Sequence, residues 1–79
     1  MITSAQIRAA RALLDWSREA LSIKSGIGIS ALMRLEAANG IPGGNIKTFE
    51  AVQKAFEKAS IEFIGTPEDG AGVRFKSRI

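Results

Sequence analysis

Up to about residue 60, apolar residues recur at spacings of three and four; beyond it they alternate with polar ones. The first period puts side chains on one stripe of an α-helix and the second on one face of a β-strand. A first helix is expected over about residues 4–14. Thr3 is a good N-cap, Gln6 three residues on completes a capping box, and Ile2 and Ile7 occupy the staple positions. A second, about 17–25, opens on Ser17 with Trp16 and Leu21 as its staple pair. A third, about 28–38, opens on Gly28 with Ile27 and Leu32. The run Ala38-Asn39-Gly40-Ile41-Pro42-Gly43-Gly44 reads as a stop signal and a loop. Asn45 then caps a fourth helix, about 46–59. Its Phe49, Val52, Ala55, Phe56 and Ala59 form one buried stripe, while Lys47, Glu50, Lys54, Glu57 and Lys58 face mostly water.

After residue 60, Ile61 and Phe63 point one way and Glu62 and Ile64 the other. The pattern returns with Val73 and Phe75 opposed to Arg74 and Lys76. Strands are expected over about 61–64 and 73–76, joined by a long turn from Gly65 to Gly72. An isolated two-stranded ribbon is marginal in water, so its apolar face must pack on the helices or pair with another chain.

The second and third helices with the glycine-containing turn Gly26-Ile27-Gly28 make a helix-turn-helix, a unit that can offer its second helix to the DNA major groove. The segment resembles the Cro and phage-repressor (C1-type) regulators, also called the xenobiotic-response-element family. The match rests on Arg11, Ser17 and Leu21, Gly26-Ile27, and Leu32, Leu35 and Glu36, with the spacing from Leu21 to Gly26 to Glu36 as its specific part. The resemblance covers most of the chain. It implies a mainly α, four-helix lambda-repressor-like DNA-binding domain, here with a C-terminal β-hairpin, in a cytoplasmic, bacterial or phage-encoded transcription regulator.

Size and composition set bounds on this reading. A chain of 79 residues is expected to form one domain, spanning 1–79, with little core to spare. Without cysteine or histidine there is no disulfide staple and no expected zinc site. No apolar stretch approaches the roughly 20 residues that span a bilayer, and the basic-then-apolar order of a signal peptide is missing, so a soluble cytoplasmic protein is expected. The net charge of +3 lies wholly in residues 1–47, where six basic side chains meet three acidic ones; beyond them five meet five. That asymmetry suits a phosphate-facing surface and equally an ordinary solvated one.

Helix geometry leaves Ile29, Ser30, Met33 and Arg34 on the exposed side of the third helix, because Leu32 and Leu35 are needed for the core. Arg34 is the best candidate for a bidentate guanine contact, and Ser30 can bond a base edge or a phosphate. Ile29 and Met33 suit thymine methyl groups and equally suit a protein interface. Gly28 opens this helix at the DNA side. Arg18, at a helix N-terminus, is well placed for a phosphate, with Asn39 and Lys47 as weaker candidates. The resemblance also implies a structural salt bridge between Arg11 and Glu36. Its competitor is an Arg11–Asp15 pair at i,i+4, worth a few tenths of a kcal/mol.

Other chemistries fare worse. Gly26-Ile27-Gly28-Ile29-Ser30-Ala31 fits the G-x-G-x-x-A fingerprint, but that motif must follow a buried strand in a βαβ unit, and here it follows polar helix; no cofactor is expected. Without histidine or cysteine the commonest general base and the thiol nucleophile are lacking, so no enzyme is expected either. Two function classes remain. One is a sequence-specific double-stranded DNA-binding regulator, a repressor by its resemblance, acting as a homodimer through the hairpin residues Ile61, Phe63, Val73 and Phe75. The other is a protein-interaction module, such as an antitoxin or adaptor, that binds a toxin or co-regulator. No effector pocket is expected beyond the core.

Overall fold

A computed structural model describes residues 2–38 and 45–76. The elements are α1 (Ser4–Leu14), α2 (Arg18–Ser25), α3 (Ile29–Ala37), α4 (Ile46–Lys58), β1 (Ile61–Thr66) and β2 (Asp69–Phe75): a mainly helical fold closed by an antiparallel hairpin. Asn39 and the expected loop through Gly44 lie outside the described residues.

The starts of α1, α2 and α4 are each made by a local side-chain hydrogen bond that satisfies an otherwise orphaned N–H. Thr3 Oγ1 accepts from Gln6 N at 3.1 Å while Gln6 Oε1 accepts from Thr3 N at 2.8 Å, a complete capping box. Ser17 Oγ accepts from Ala20 N at 3.0 Å, and Asn45 Oδ1 from Lys47 N at 2.8 Å. Gly28 has no side chain to offer, so the first turn of α3 carries no side-chain cap. At the other ends, Asp15 (φ 55°) and Gly26 (φ 73°) turn left-handed and break α1 and α2.

The core draws on every helix and on β1, with Ile7, Leu21, Leu32, Val52, Phe56 and Ile61 each at most 1% exposed. Phe56 is its aromatic centre. Trp16 stacks on it at 5.7 Å between centroids, and Phe63 meets it edge-on at 6.0 Å. Such pairs add about 1 kcal/mol to the area they bury, and they tie the α1–α2 corner and the hairpin to α4.

The hairpin differs from expectation in two ways. First, the strands run to Thr66 and resume at Asp69, so the turn shrinks to Pro67-Glu68. The glycines read as turn formers serve instead as irregular strand positions. Gly65 takes φ +75° where the register shifts between Ile64 and Thr66, and Thr66 faces both Asp69 and Gly70, a bulge that only a left-handed residue builds cheaply. Gln6 reaches across at this point, its Nε2 donating to Gly72 O at 2.9 Å and Ile64 O at 3.2 Å, and so pins both strands to α1. Second, of the two outcomes open to the apolar face, packing on the helices is the one adopted. Ile61 is in the core, and Phe63 and Val73 pack half-buried against it, so three of the four residues expected at a dimer contact hold the ribbon to its own helices. Phe75 alone of the four is exposed, at 46%. On the opposite face Arg74 donates to Glu62 across the strands at 2.8 Å, and this bond holds the Glu62 carboxyl below the usual carboxylate range.

A Cβ on Gly65 would lie 2.1 Å from the Gly70 carbonyl oxygen, whereas one on Gly70, also left-handed at φ +70°, meets open space. Gly65→Ala is therefore expected to cost about 3 kcal/mol and Gly70→Ala about 1 kcal/mol, the latter from backbone strain alone. Urea unfolding of the two variants checks this; equal losses would contradict the bulge account.

Candidate nucleic-acid interface

The α2–turn–α3 unit is held by hydroxyls that bind the N–H and C=O of one residue, Ile27. Ser22 Oγ donates to Ile27 O at 2.6 Å, and Ser25 Oγ accepts from Ile27 N at 3.2 Å while donating to Leu21 O at 2.7 Å. Ser22 and Ser25 read in the sequence merely as polar helix positions; their bonds to Ile27 set the path into α3. From there α3 buries Leu32, Leu35 and Glu36 and turns Gly28, Ile29, Ser30, Met33 and Arg34 to solvent. Ile29 and Met33 are 37% and 50% exposed, an apolar pair next to an exposed arginine.

The buried glutamate is what orients this face. Arg11 grips the Glu36 carboxylate with a fork, Nε to Oε2 at 2.7 Å and Nη2 to Oε1 at 2.9 Å, and sends Nη1 to Trp16 O at 3.0 Å. Planar two-point pairing of this kind fixes direction as well as distance. The hydrogen bond to Glu36 is the main reason the Arg11 guanidinium is held above its ordinary range, outweighing the opposing effect of burial. Asp15, the competing i,i+4 partner, is instead the left-handed C-cap of α1.

Glu36 also holds a second arginine. Arg18 Nε donates to Oε1 at 3.2 Å, which places the candidate phosphate ligand of α2 against the same carboxylate. Its side chain is 39% exposed, and among the described residues its Nη atoms make no hydrogen bond. The side chain is thus held at its Nε while still partly exposed.

Two further contacts, absent from the sequence reading, cap the far end of α3. Ser4 Oγ donates to Leu35 O at 2.5 Å, and Arg8 Nη1 donates to Glu36 O. The last carbonyls of a helix have no partner within it and carry partial negative charge, so a hydroxyl and a cation from α1 satisfy both needs. The sequence signal was Ser4 and Arg8 lying on the α1 turns that precede Arg11. Elsewhere, Lys47 is exposed on the first turn of α4, and Ile23, which sequence reasoning passed over, stands 83% exposed on α2.

An open surface depression of about 390 Å³ lies beside Gln6, Ile46, Phe49 and Phe63. Among the described residues no helix is long and apolar enough to cross a membrane, and no cluster of acidic side chains is suited to a metal. No protein-family model matches the chain, and no curated protein matches it.

Glu36→Gln leaves the partly buried Arg11 fork without its counter-charge and is expected to cost about 2 kcal/mol. Arg18→Gln removes one half-exposed contact and should cost less than about 1 kcal/mol. Denaturant unfolding measures both; an Arg18 loss as large as that of Glu36 would show that the second arginine is structural.

Proposed function

We propose that this chain is a small sequence-specific double-stranded DNA-binding regulator of lambda-repressor-like fold, with α3 as its recognition helix. The observation that carries the reading is the outward face of α3, whose exposed Ile29, Ser30, Met33 and Arg34 sit on a helix locked at its other side by Arg11, Arg8 and Ser4. Recognition needs a rigid helix whose base-reading side chains project from one face. Arg34 is assigned a two-point contact to guanine, Ser30 a base edge or phosphate, and Ile29 and Met33 thymine methyl groups. The uncapped first turn at Gly28, Arg18 above Glu36, and Lys47 are assigned to phosphates, which position the helix without reading sequence.

On this reading the protein works as a homodimer in the cytoplasm, with recognition helices about 34 Å apart, and represses transcription. With Ile61, Phe63 and Val73 committed to the core, dimerisation falls to Phe75 and to the outer edges of the two-stranded ribbon. A second reading, a protein-interaction module such as an antitoxin or adaptor, draws on the exposed Ile23, Ile29 and Met33.

Selection of bound sequences from a random duplex library tests the proposal. The expected outcome is a palindrome with half-sites about ten base pairs apart. Arg34→Ala should lose about 1–3 kcal/mol and relax preference at one guanine, whereas Arg18→Gln should weaken all sequences alike and lower the salt slope by about one per half-site. Failure of correctly folded protein to enrich any sequence would overturn the DNA reading in favour of the interaction module.

A further inference from the structure

Between α2 and α4 the surface dips into two adjoining open cavities of about 230 and 220 Å³ that share Lys24, Ala55 and Lys58. Trp16 lines the first, Ala51 and Lys54 the second, and no residue of α3 lines either. Ala51 and Ala55 lie one turn apart on the same side of α4, so their methyl groups form a low floor over which another chain can pass closely. Lys54 and Lys58 border that floor from α4, and Lys24 rises from α2. Trp16 is fixed from behind by its stacking on Phe56, and Lys24 Nζ stands 5.9 Å from its ring centroid.

The charge of this groove is unanswered. Among the described residues no carboxylate lines either cavity, and none of the three lysines forms an ion pair. The nearest acids on α4, Glu50 and Glu57, share a separate depression with Lys54 farther round the helix, where Glu57 takes a bond from Gln53 at 3.4 Å. Lys54 has Glu50 one turn before it, an i,i+4 pair in the favourable order, whereas neither Lys24 nor Lys58 has an acidic residue three or four positions before it on its own helix.

We propose that this groove docks an acidic peptide segment of a partner protein, its carboxylates meeting Lys24 and Lys58 and an apolar side chain between them resting on Ala55 and Trp16. Charge complementarity selects an anionic partner. The apolar floor selects a peptide over a nucleic-acid backbone, whose contacts are made by phosphates. None of the residues lining the groove is among those assigned to DNA, so the two sites use different side chains.

The test uses an array of short peptides in which Asp and Glu surround Leu, Ile, Phe or Met at varied spacing, each with an Asn/Gln counterpart, and a single-stranded oligonucleotide as the competing polyanion. Trp16 is the sole tryptophan, so its emission reports directly on the groove. The expected result is saturable binding of acidic members alone, with amide shifts at Trp16, Lys24, Ala51, Ala55 and Lys58, weakened about fivefold or more in the double variant Lys24→Gln/Lys58→Gln. Both substitutions are at exposed positions, and an unchanged unfolding midpoint certifies the fold. Equal binding of the neutral counterparts, the same shifts with the oligonucleotide, indifference to the double variant, or no binder at millimolar peptide would each overturn the proposal.

Discussion

The Glu36 carboxylate is the point on which the arrangement of helices depends. It is buried near the end of a nine-residue helix, a length at which an isolated helix is marginal in water. The direction of α3 is therefore set by what grips it. Arg11 supplies a two-point fork from α1, Arg18 a single bond from α2, and Arg8 binds the backbone carbonyl of the same residue. A buried carboxylate without such partners would be costly, so charge and geometry enforce each other. One acidic side chain thereby joins three helices, and the outward face of α3 inherits its orientation from that junction.

The hairpin plays the corresponding part at the other end of α1. Gln6 serves both as the reciprocal half of a capping box and as a donor to two strand carbonyls, so the start of α1 and the bulge in the ribbon are anchored by one side chain. With Ile61 buried and Phe63 against Phe56, the ribbon becomes a lid on the hydrophobic core. This meets the need of a small chain to cover its core, and it takes Ile61 from the surface and leaves Phe63 and Val73 only partly exposed.

The remaining surface divides by chemistry. The face of α3 mixes apolar side chains with one arginine, while the α2–α4 groove sets lysines around alanines and a tryptophan. They are built from different residues, so one can be occupied while the other stays free. The charged positions of α4, which look in sequence like a uniform solvated face, acquire different settings once α2 packs beside them: Lys58 joins a groove with Lys24, and Glu57 lies outside it.

The capping residues Thr3, Ser17 and Asn45, the apolar periods of the four helices and the alternation of the strands were legible in the sequence, because caps act within a few residues and periodicity is a property of each segment alone. The exposure of Ile29, Ser30, Met33 and Arg34 followed from the same periodicity. The Arg11–Glu36 pair was implied by resemblance to a family rather than by spacing. Arg18 on the same carboxylate, Arg8 and Ser4 on the end of α3, and Gln6 on the hairpin were not legible, since these bonds join residues 18 to 66 positions apart. Nor was the commitment of Ile61, Phe63 and Val73, for alternation says which side chains share a face but not what covers it. Local hydrogen bonding and hydrophobic period determined the elements. Packing of distant segments decided which polar groups needed partners, and therefore where the arginines went and which faces stayed open.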